Sequence, residues 1–225
     1  MSDTSTSNAT KVTVEIWSDV VCPWCFIGKR RWEEGLAAFT AKHPEVEVDV
    51  AYRAFQLDPT APIGESQPVV QAYEKKFGGP AQAKQIIDNV TAEASKVGLD
   101  FKMDIALRSN TADAHRLLVL AEREGVQLEL KERLMQAYFS EGEDIGLLDS
   151  LVRFGAEVGL DPEVARGWLQ GDGGRREVAD QLVFAADAGI HSVPTFVIDR
   201  SIGVPGAQPA EVFVEVLEQA AAQQA

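Results

Sequence analysis

Two kinds of hydrophobic periodicity divide this chain of 225 residues, and their order restricts the folds that it can adopt. Apolar and polar residues alternate with a period of two only near the two ends of the chain, which predicts strands there. Between residues 68 and 188 the apolar residues recur almost only with helical spacing. The predicted strands are 12–17, 46–55, 195–198 and 201–204, with a tight turn at Asp199 and Arg200, and the predicted helices beside them cover 22–39 and 209–222.

Without the helical stretch, the order is strand–helix–strand followed by helix–strand–strand–helix. This βαβ…αββα order is that of the thioredoxin fold, an α/β architecture. The sequence therefore predicts a thioredoxin-like domain built from residues 11–67 and 175–225, with an all-helical domain inserted over residues 68–174. The polar residues 1–10 are predicted to form a disordered tail.

The charge and the N-terminus restrict the partners and the compartment. Lys and Arg total 21 against 35 Asp and Glu, a formal net charge of −14, which disfavours nucleic acid and anionic membranes as partners. The N-terminal residues lack the basic and apolar regions of a secretory signal, and no run of 18 apolar residues occurs. We therefore predict a cytoplasmic protein without a membrane segment, and the sequence leaves its oligomeric state open.

The only two cysteines, Cys22 and Cys25, enclose Pro23 and Trp24 where the first predicted strand gives way to the first helix. A zinc site would need two further ligands at suitable spacing, and the three histidines are scattered, so we predict no metal site. A structural disulfide over so short a loop would stabilise the fold by only about 2 kcal/mol, and a reducing cytosol would open it. The remaining interpretation is a reactive dithiol.

The helix start gives the two thiols different roles. Unpaired N–H groups and the positive end of the helix dipole favour a thiolate at Cys22, and the thiolate is the nucleophile in disulfide exchange. Cys25 follows almost one helical turn later, where it could attack a mixed disulfide on Cys22. Pro23 suits the first turn of the helix because it donates no N–H there.

A second motif lies far along the chain, where Val193 and Pro194 precede the predicted strand 195–198. Alone, a proline at a strand entry is an ordinary turn residue. In a chain with C-x-x-C at a strand–helix junction, we predict a cis Pro194. It would turn the Val193 backbone outward beside Cys22, to pair with an extended peptide or with glutathione.

These motifs together resemble the DsbA-type thiol–disulfide oxidoreductases, whose thioredoxin fold carries a helical insertion. More narrowly, the chain resembles the cytoplasmic FrnE-like branch of that family. The resemblance spans roughly residues 12–222. It rests on the SVPTF loop and on the stretches EIWSDVVCPWCFIGKRR, YRAFQLDP, SNTADAHRLL, QAYFSEGEDI and GVPGAQP.

The resemblance implies an attacking thiol at Cys22, a resolving thiol at Cys25 and a cis-proline at Pro194. It implies no tightly bound cofactor, a disulfide-bearing protein or small thiol as substrate, and glutathione or another dithiol as redox partner. The further candidates for substrate binding are Pro23, Trp24, Val193, His191, Asn110 and His115.

Two positions depart from the family pattern. Relatives often have a buried carboxylate six residues before the first cysteine, where this chain has Ile16, so proton handling falls to water, Asp19 or Glu15. The strand alternation makes Glu15 the weaker candidate, since it faces away from Ile16. Trp24 stands where DsbA proteins often have a histidine, and because indole cannot carry a positive charge we expect weaker stabilisation of a thiolate.

Several other polar residues have both a structural and a functional interpretation. His191 could lie near Cys22 or on a surface loop, and His115 could line a groove or be an ordinary helix residue. Asn110 or Thr111 most simply caps the following helix. The basic run 29–31 is predicted to be a solvated face, with a glutathione-carboxylate site as the alternative, and the GDGGRR stretch over 171–176 is predicted to be a linker.

Three functional hypotheses follow. The first is a thiol–disulfide oxidoreductase. The second is a glutathione-dependent isomerase or transferase acting on a small aromatic compound. The superfamily includes 2-hydroxychromene-2-carboxylate isomerases and kappa-class glutathione transferases, which typically have serine at the position of Cys22. The third is a binding or chaperone module that is insensitive to the redox state of the cysteines.

Overall fold

The computed structural model describes residues 10–224 and contains a central four-stranded sheet with the order β2-β1-β5-β6. β1 pairs with β2 in parallel and with β5 in an antiparallel direction, and β5 and β6 form a hairpin. This topology confirms the predicted thioredoxin fold. The strands are β1 (Thr10–Ser18), β2 (Val46–Ala54), β3 (Gln67–Pro68), β4 (Leu107–Arg108), β5 (Thr195–Ile198) and β6 (Ile202–Pro205), of which β3 and β4 form a separate small sheet.

Nine α-helices in residues 10–224 surround the sheet. α1 and α9 belong to the sheet domain, while the helices from α2 to α7 lie within the stretch predicted as an insertion. A π-helical turn, Ala137–Glu141, continues α5. The helices are α1 (Pro23–Lys42), α2 (Val69–Phe77), α3 (Pro80–Lys96), α4 (Ala112–Arg123), α5 (Gln127–Gln136), α6 (Leu148–Glu157), α7 (Pro162–Gln170), α8 (Arg175–Asp187) and α9 (Ala210–Gln224).

The elements near the ends of the chain match the predicted ones to within three residues, the largest difference being the end of α1 at Lys42 instead of residue 39. β1 begins at Thr10, one residue inside the stretch predicted as a tail, and residues 1–9 lie outside the described part of the chain. Asp199 and Arg200 both have positive φ, 47° and 54°, as the central residues of a type I′ turn require, and the Ser201 N–H donates to the Ile198 carbonyl at 3.0 Å.

One face of the sheet packs against α1 and α9. The inward side chains of β1 and β5 form this core with Trp32 of α1 and Phe213 of α9. The Trp32 and Phe213 rings meet edge to face at 5.4 Å between centroids, and Phe196 of β5 lies 4.6 Å from Phe213. Gly35 is required where the two helices cross, since a Cβ there would lie 2.7 Å from the Ala210 carbonyl oxygen.

The helical insertion shares its core with the start of α1. Phe26 of α1 packs 6.0 Å from Phe101, which stacks on Phe139 at 4.3 Å between ring centroids. Both cysteines are part of this same cluster of buried residues. The first turn of α1 is therefore enclosed between the sheet domain and the insertion.

Gln127 joins the insertion to the open edge of the sheet. β2 is an edge strand, so its outer backbone groups need partners. The Gln127 side chain accepts a hydrogen bond from the Tyr52 N–H at 2.8 Å and donates one to the Tyr52 carbonyl at 3.1 Å. The Gln127 amide thus binds the Tyr52 backbone groups that a neighbouring strand would otherwise bind, and it attaches α5 to β2.

Arg116 organises the stretch that the sequence predicts to be a linker. It is only 2% exposed, and its guanidinium donates to the carbonyls of Trp168, Gly171 and Gly173 at 2.6–2.8 Å. A helix end leaves its last carbonyls without intrahelical partners. Arg116 of α4 satisfies those at the end of α7, and so fixes the turn between α7 and α8.

Within residues 10–224, the structure contains no helix that combines the length and the apolar composition needed to cross a bilayer.

Candidate active site

The two cysteines lie at the junction of β1 and α1, as the sequence pattern predicts. Cys22 is the N-cap of α1, with extended backbone (φ −86°, ψ 115°), and Pro23 occupies the first helical position. The Cys22 carbonyl accepts the first helical hydrogen bonds, from the N–H of Cys25 at 3.0 Å and of Phe26 at 3.3 Å. This first turn brings the thiol of Cys25 against that of Cys22.

Both thiols are free and nearly enclosed. Cys22 is 4% exposed and Cys25 2% exposed, and the two side chains are close enough for each to shift the pKa of the other. The Cys22 sulfur also lies 3.6 Å from the carbonyl oxygen of Val193, which can accept its proton in a hydrogen bond. The stretch around residue 193 therefore reaches the first cysteine although it is 171 residues away.

The loop that carries Val193 is held tightly in place. The Val193–Pro194 peptide bond is cis, and the Pro194 carbonyl accepts from the Gly206 N–H at 2.7 Å. Pro194 also packs onto α1 at Gly28, where a Cβ would lie 2.9 Å from the proline ring. Glycine at position 28 lets the loop approach the cysteine-bearing helix closely.

Burial and the contact between the two thiols shift the pKa of both cysteines. The hydrogen bond between the thiols raises the pKa of Cys22 well above its usual value, and burial raises it further. Burial by itself also raises the pKa of Cys25, but the hydrogen bond with Cys22, the charge of Lys131 and the Ser18 hydroxyl together lower it. The thiolate at Cys22 expected from the helix start stays a prediction.

Of the candidates for proton handling, Asp19 is close to the dithiol and Glu15 is not. Asp19 is buried three residues before Cys22, and its carboxylate is 3.1 Å from the His115 ring nitrogen and accepts from the Leu57 N–H at 2.8 Å. Glu15 is paired with Arg53 at 2.8 Å on the other side of β1.

The remaining candidates for substrate binding are dispersed. Trp24 is 43% exposed beside the cysteines, and His191 is exposed on the loop before Val193. His115 is 2% exposed and bound to Asp19, so it lies beneath the site rather than on an open surface. Asn110 is also buried, where its side chain caps α4 through the Ala112 N–H and donates to the Ala61 carbonyl.

The basic run after the cysteines is not a solvated face, contrary to the expectation from its charge. Lys29 is only 5% exposed and is paired with Glu132 of α5 at 2.6 Å. Arg31 donates to the Ala207 carbonyl at 2.6 Å and contacts Glu93 of α3. These charges attach α1 to the insertion, because buried cations require partners.

The chain matches the DSBA-like thioredoxin domain over residues 13–218, which is most of its length. The chain belongs to this DSBA-like family. The narrower assignment to the FrnE-like branch stays a prediction.

Individual relatives agree with the family assignment. The crystal structure of a probable DsbA oxidoreductase, SCO1869 from Streptomyces coelicolor, is 37% identical with a TM-score of 0.87, covering 95% of this chain and 92% of that one. The uncharacterized protein YwbO of Bacillus subtilis (strain 168) is 29% identical over 92% of this chain and 96% of its own length. The cytosolic disulfide reductase DsbM from Pseudomonas aeruginosa with GSH is 19% identical with a TM-score of 0.63, covering 92% of this chain and 98% of that one. This last likeness shows the fold alone.

Three residues of this DSBA-like site escaped the sequence analysis. Tyr73 of α2 is close enough to Cys22 that burial, together with charge on that thiol, raises the pKa of the phenol to about 12. Tyr138 is buried near both, and burial raises its pKa well above the usual value. Lys131 is fully buried, and its charge lowers the pKa of Cys25. All three lie between residues 68 and 174. Tyr138 falls within the QAYFSEGEDI stretch, but no pattern in the sequence places any of the three beside the cysteines, so only the packing against α1 identifies them.

Proposed function

We propose that this DSBA-like protein exchanges disulfides through Cys22 and Cys25. The observation that carries the proposal is the pair of free, buried thiols at the start of α1, the first of which contacts the Val193–Pro194 loop. The first thiol is in contact with the loop that could hold an extended substrate, and the second lies behind it. This arrangement suits a two-step exchange.

In the first step the Cys22 sulfur attacks a substrate disulfide. A bond forms between Cys22 and one substrate sulfur, the substrate S–S bond breaks, and the other substrate sulfur leaves as a thiolate that takes a proton. When the pair carries one negative charge, a single proton remains between Cys22 and Cys25. Its transfer from the Cys22 sulfur to the Cys25 sulfur makes Cys22 the nucleophile.

In the second step the Cys25 sulfur, having given up its proton, attacks the Cys22 sulfur of the mixed disulfide. The Cys22–Cys25 bond forms, the bond to the substrate breaks, and the second substrate sulfur leaves with the electron pair. The substrate has then gained two electrons, and the protein is a disulfide. Two molecules of glutathione, or one molecule of a dithiol, would return it to the reduced state by the reverse sequence.

Two serine variants test the proposal. Replacing Cys22 with serine should abolish reduction of a protein disulfide such as that of insulin. Cys25→Ser should instead accumulate mixed disulfides, which mass spectrometry detects, because the first step still occurs and the second does not. Full activity of Cys22→Ser would contradict the proposal, and so would the absence of any mixed disulfide in Cys25→Ser.

The two other hypotheses predict different results from the same variants. A glutathione-dependent isomerase or transferase would bind glutathione and keep its turnover when both cysteines are replaced. A redox-insensitive binding or chaperone module would bind its partner equally well with the dithiol reduced or oxidised. Retention of both thiols favours the disulfide exchange.

We further propose a cytoplasmic protein that acts more as a reductant or disulfide isomerase than as an oxidant. The name of the DsbM relative, a cytosolic disulfide reductase, is consistent with the compartment. The equilibrium between the protein and defined ratios of reduced and oxidised glutathione measures the redox potential. A potential as high as that of DsbA, about −120 mV, would contradict the proposed direction.

A further inference from the structure

The segment 206–208, between β6 and α9, packs on the helix that carries the cysteines. Gly28 and Arg31 are three residues apart in α1 and therefore lie on the same face of that helix. Ala207 approaches this face so closely that a Cβ on Gly28 would lie 3.4 Å from the Ala207 Cα. The Arg31 guanidinium donates to the Ala207 carbonyl at 2.6 Å. Packing and a hydrogen bond therefore both hold Ala207 at α1.

The same segment supports the loop beside Cys22. The Gly206 N–H donates to the Pro194 carbonyl at 2.7 Å. Because proline has no N–H, this carbonyl is the only backbone group of residue 194 that can form a hydrogen bond. The carbonyl oxygen of the preceding residue, Val193, lies 3.6 Å from the Cys22 sulfur. A displacement of segment 206–208 would therefore move the backbone that contacts the first thiol.

The side chains of this segment supply little of its attachment. Gly206 has a left-handed backbone with φ of 82°, and Ala207 offers a single methyl group, so little apolar surface is buried. The Gln208 side chain donates to the nearby Pro205 carbonyl at 2.7 Å. Arg31 supplies a hydrogen bond from an ionised donor, which is roughly twice as strong as one between neutral groups. Its contact with Ala207 therefore has a large share in fixing the segment.

Glu93 of α3 contacts the other side of the same guanidinium. Its carboxylate lies 3.4 Å from Nη2 of Arg31, whereas Nη1 donates to Ala207. Glu93 is 30% exposed and also pairs with Lys96, so this ion pair adds little stability by itself. The guanidinium is planar and rigid, however, so a carboxylate at one nitrogen sets the direction of the other. Glu93 thus orients the donor that holds Ala207.

We infer that Arg31 is a positioning residue that holds the Val193–Pro194 loop in place by way of segment 206–208. The inference rests on the proposed disulfide exchange, in which this loop contacts the attacking thiol and holds an extended substrate. It involves the helical insertion in substrate binding, because Glu93 of α3 orients the arginine. The guanidinium is occupied within the protein, which disfavours a glutathione-carboxylate site at position 31.

Arg31→Met tests the inference, with Arg176→Met as the matched control, since the Arg176 side chain is 92% exposed on α8. Hydrogen exchange of the Gly206 amide, followed by NMR in the reduced proteins, reports the support of the loop without requiring activity. Exchange at the Val14 amide in the middle of β1 reports general destabilisation. In Arg31→Met the exchange of Gly206 should accelerate about fivefold or more beyond any change at Val14. The control should follow the wild type.

Disulfide reduction gives a second measurement, because only a long substrate needs the loop. An extended peptide that contains a disulfide pairs with backbone groups of the protein, whereas bis(2-hydroxyethyl) disulfide has no peptide backbone to pair. In Arg31→Met the KM for the peptide should rise about fivefold or more. Its kcat, and the rate with the small disulfide, should stay within about twofold of the wild type, since the thiols themselves are unchanged.

Arg31→Lys keeps the charge and serves if Arg31→Met fails to fold. Lysine lacks the planar fork that reaches Ala207 and Glu93 together, so the peptide KM should rise in this variant also, by about twofold or more. A peptide KM and a Gly206 exchange rate equal to those of the wild type in both variants would overturn the inference.

Two other results would also overturn it. If the peptide and the small disulfide lost the same factor in rate, Arg31 would act on the thiols rather than on the loop. If Gly206 exchange accelerated only as much as that of Val14, the arginine would have a general structural role alone. Failure of the proposed function is distinct, because the wild type would then reduce neither disulfide, while Gly206 exchange would still report whether Arg31 holds the loop.

Discussion

Replacing Lys131 with methionine should raise the free energy of unfolding at pH 7 by about 3 kcal/mol. Burial lowers the pKa of this lysine from 10.5 to about 8. Each tenfold change in an acid dissociation constant corresponds to about 1.4 kcal/mol. The charged form of Lys131 therefore destabilises the native state by roughly 3 kcal/mol below pH 8. Methionine has a similar length and no charge, and it fills the same space within the apolar cluster.

The pH dependence gives this prediction its sign. The native pKa lies below the unfolded one, so between pH 8 and pH 10.5 the unfolded chain binds more protons than the native chain. The wild type therefore gains stability relative to Lys131→Met as the pH rises through this window. The advantage of the variant is complete below pH 8 and declines to near zero above pH 10.5.

Urea unfolding of the reduced proteins at several pH values from 7 to 10 measures the difference directly. The Lys84→Met control removes a lysine that is 74% exposed and should differ from the wild type by no more than about 0.5 kcal/mol at every pH. A Lys131→Met protein less stable than the wild type at pH 7, with the same difference at pH 10, would refute the reasoning. The ammonium would then be a stabilising group rather than a costly one.

Two further substitutions test contacts that position the site. Arg116→Met should lower the free energy of unfolding by more than about 3 kcal/mol, because the carbonyls at the end of α7 lose a buried donor. Urea titrations measure this difference, and a loss below about 1 kcal/mol would contradict the role of Arg116. Gly28→Ala should destabilise the protein by about 1–3 kcal/mol and slow insulin reduction, because the new methyl group would overlap the Pro194 ring. Unchanged rates of insulin reduction would show that the Val193–Pro194 loop adjusts freely.

The site could be predicted in part because some of its features are encoded locally. The cysteine spacing and the change from strand to helix periodicity lie within about ten residues of each other, and they placed Cys22 and Cys25 at the start of α1. The contact between the Val193–Pro194 loop and Cys22 was harder to predict, because only the order of strands and helices in the chain suggested it. His115 was identified by resemblance, but its burial against Asp19 was not.

Charged residues were the least predictable part of the site. Lys29 and Arg31 have the sequence context of a solvated face, yet they are held by Glu132 of α5 and Glu93 of α3. Those partners are distant from Lys29 and Arg31 in the sequence, so no short stretch of the chain contains both members of a pair. Burial of a charge depends on what another part of the chain places beside it, and periodicity within one helix cannot report this.

The sequence by itself determined the order of strands and helices, the turn at Asp199 and the position of the dithiol, because periodicity and turn chemistry act between residues close in the chain. Only the tertiary structure decided which charged groups surround the dithiol. Lys131, whose charge lowers the pKa of Cys25, lies on a helix more than 100 residues away. The interaction of two charges depends on their separation in space and on the exclusion of water between them, and folding alone sets both.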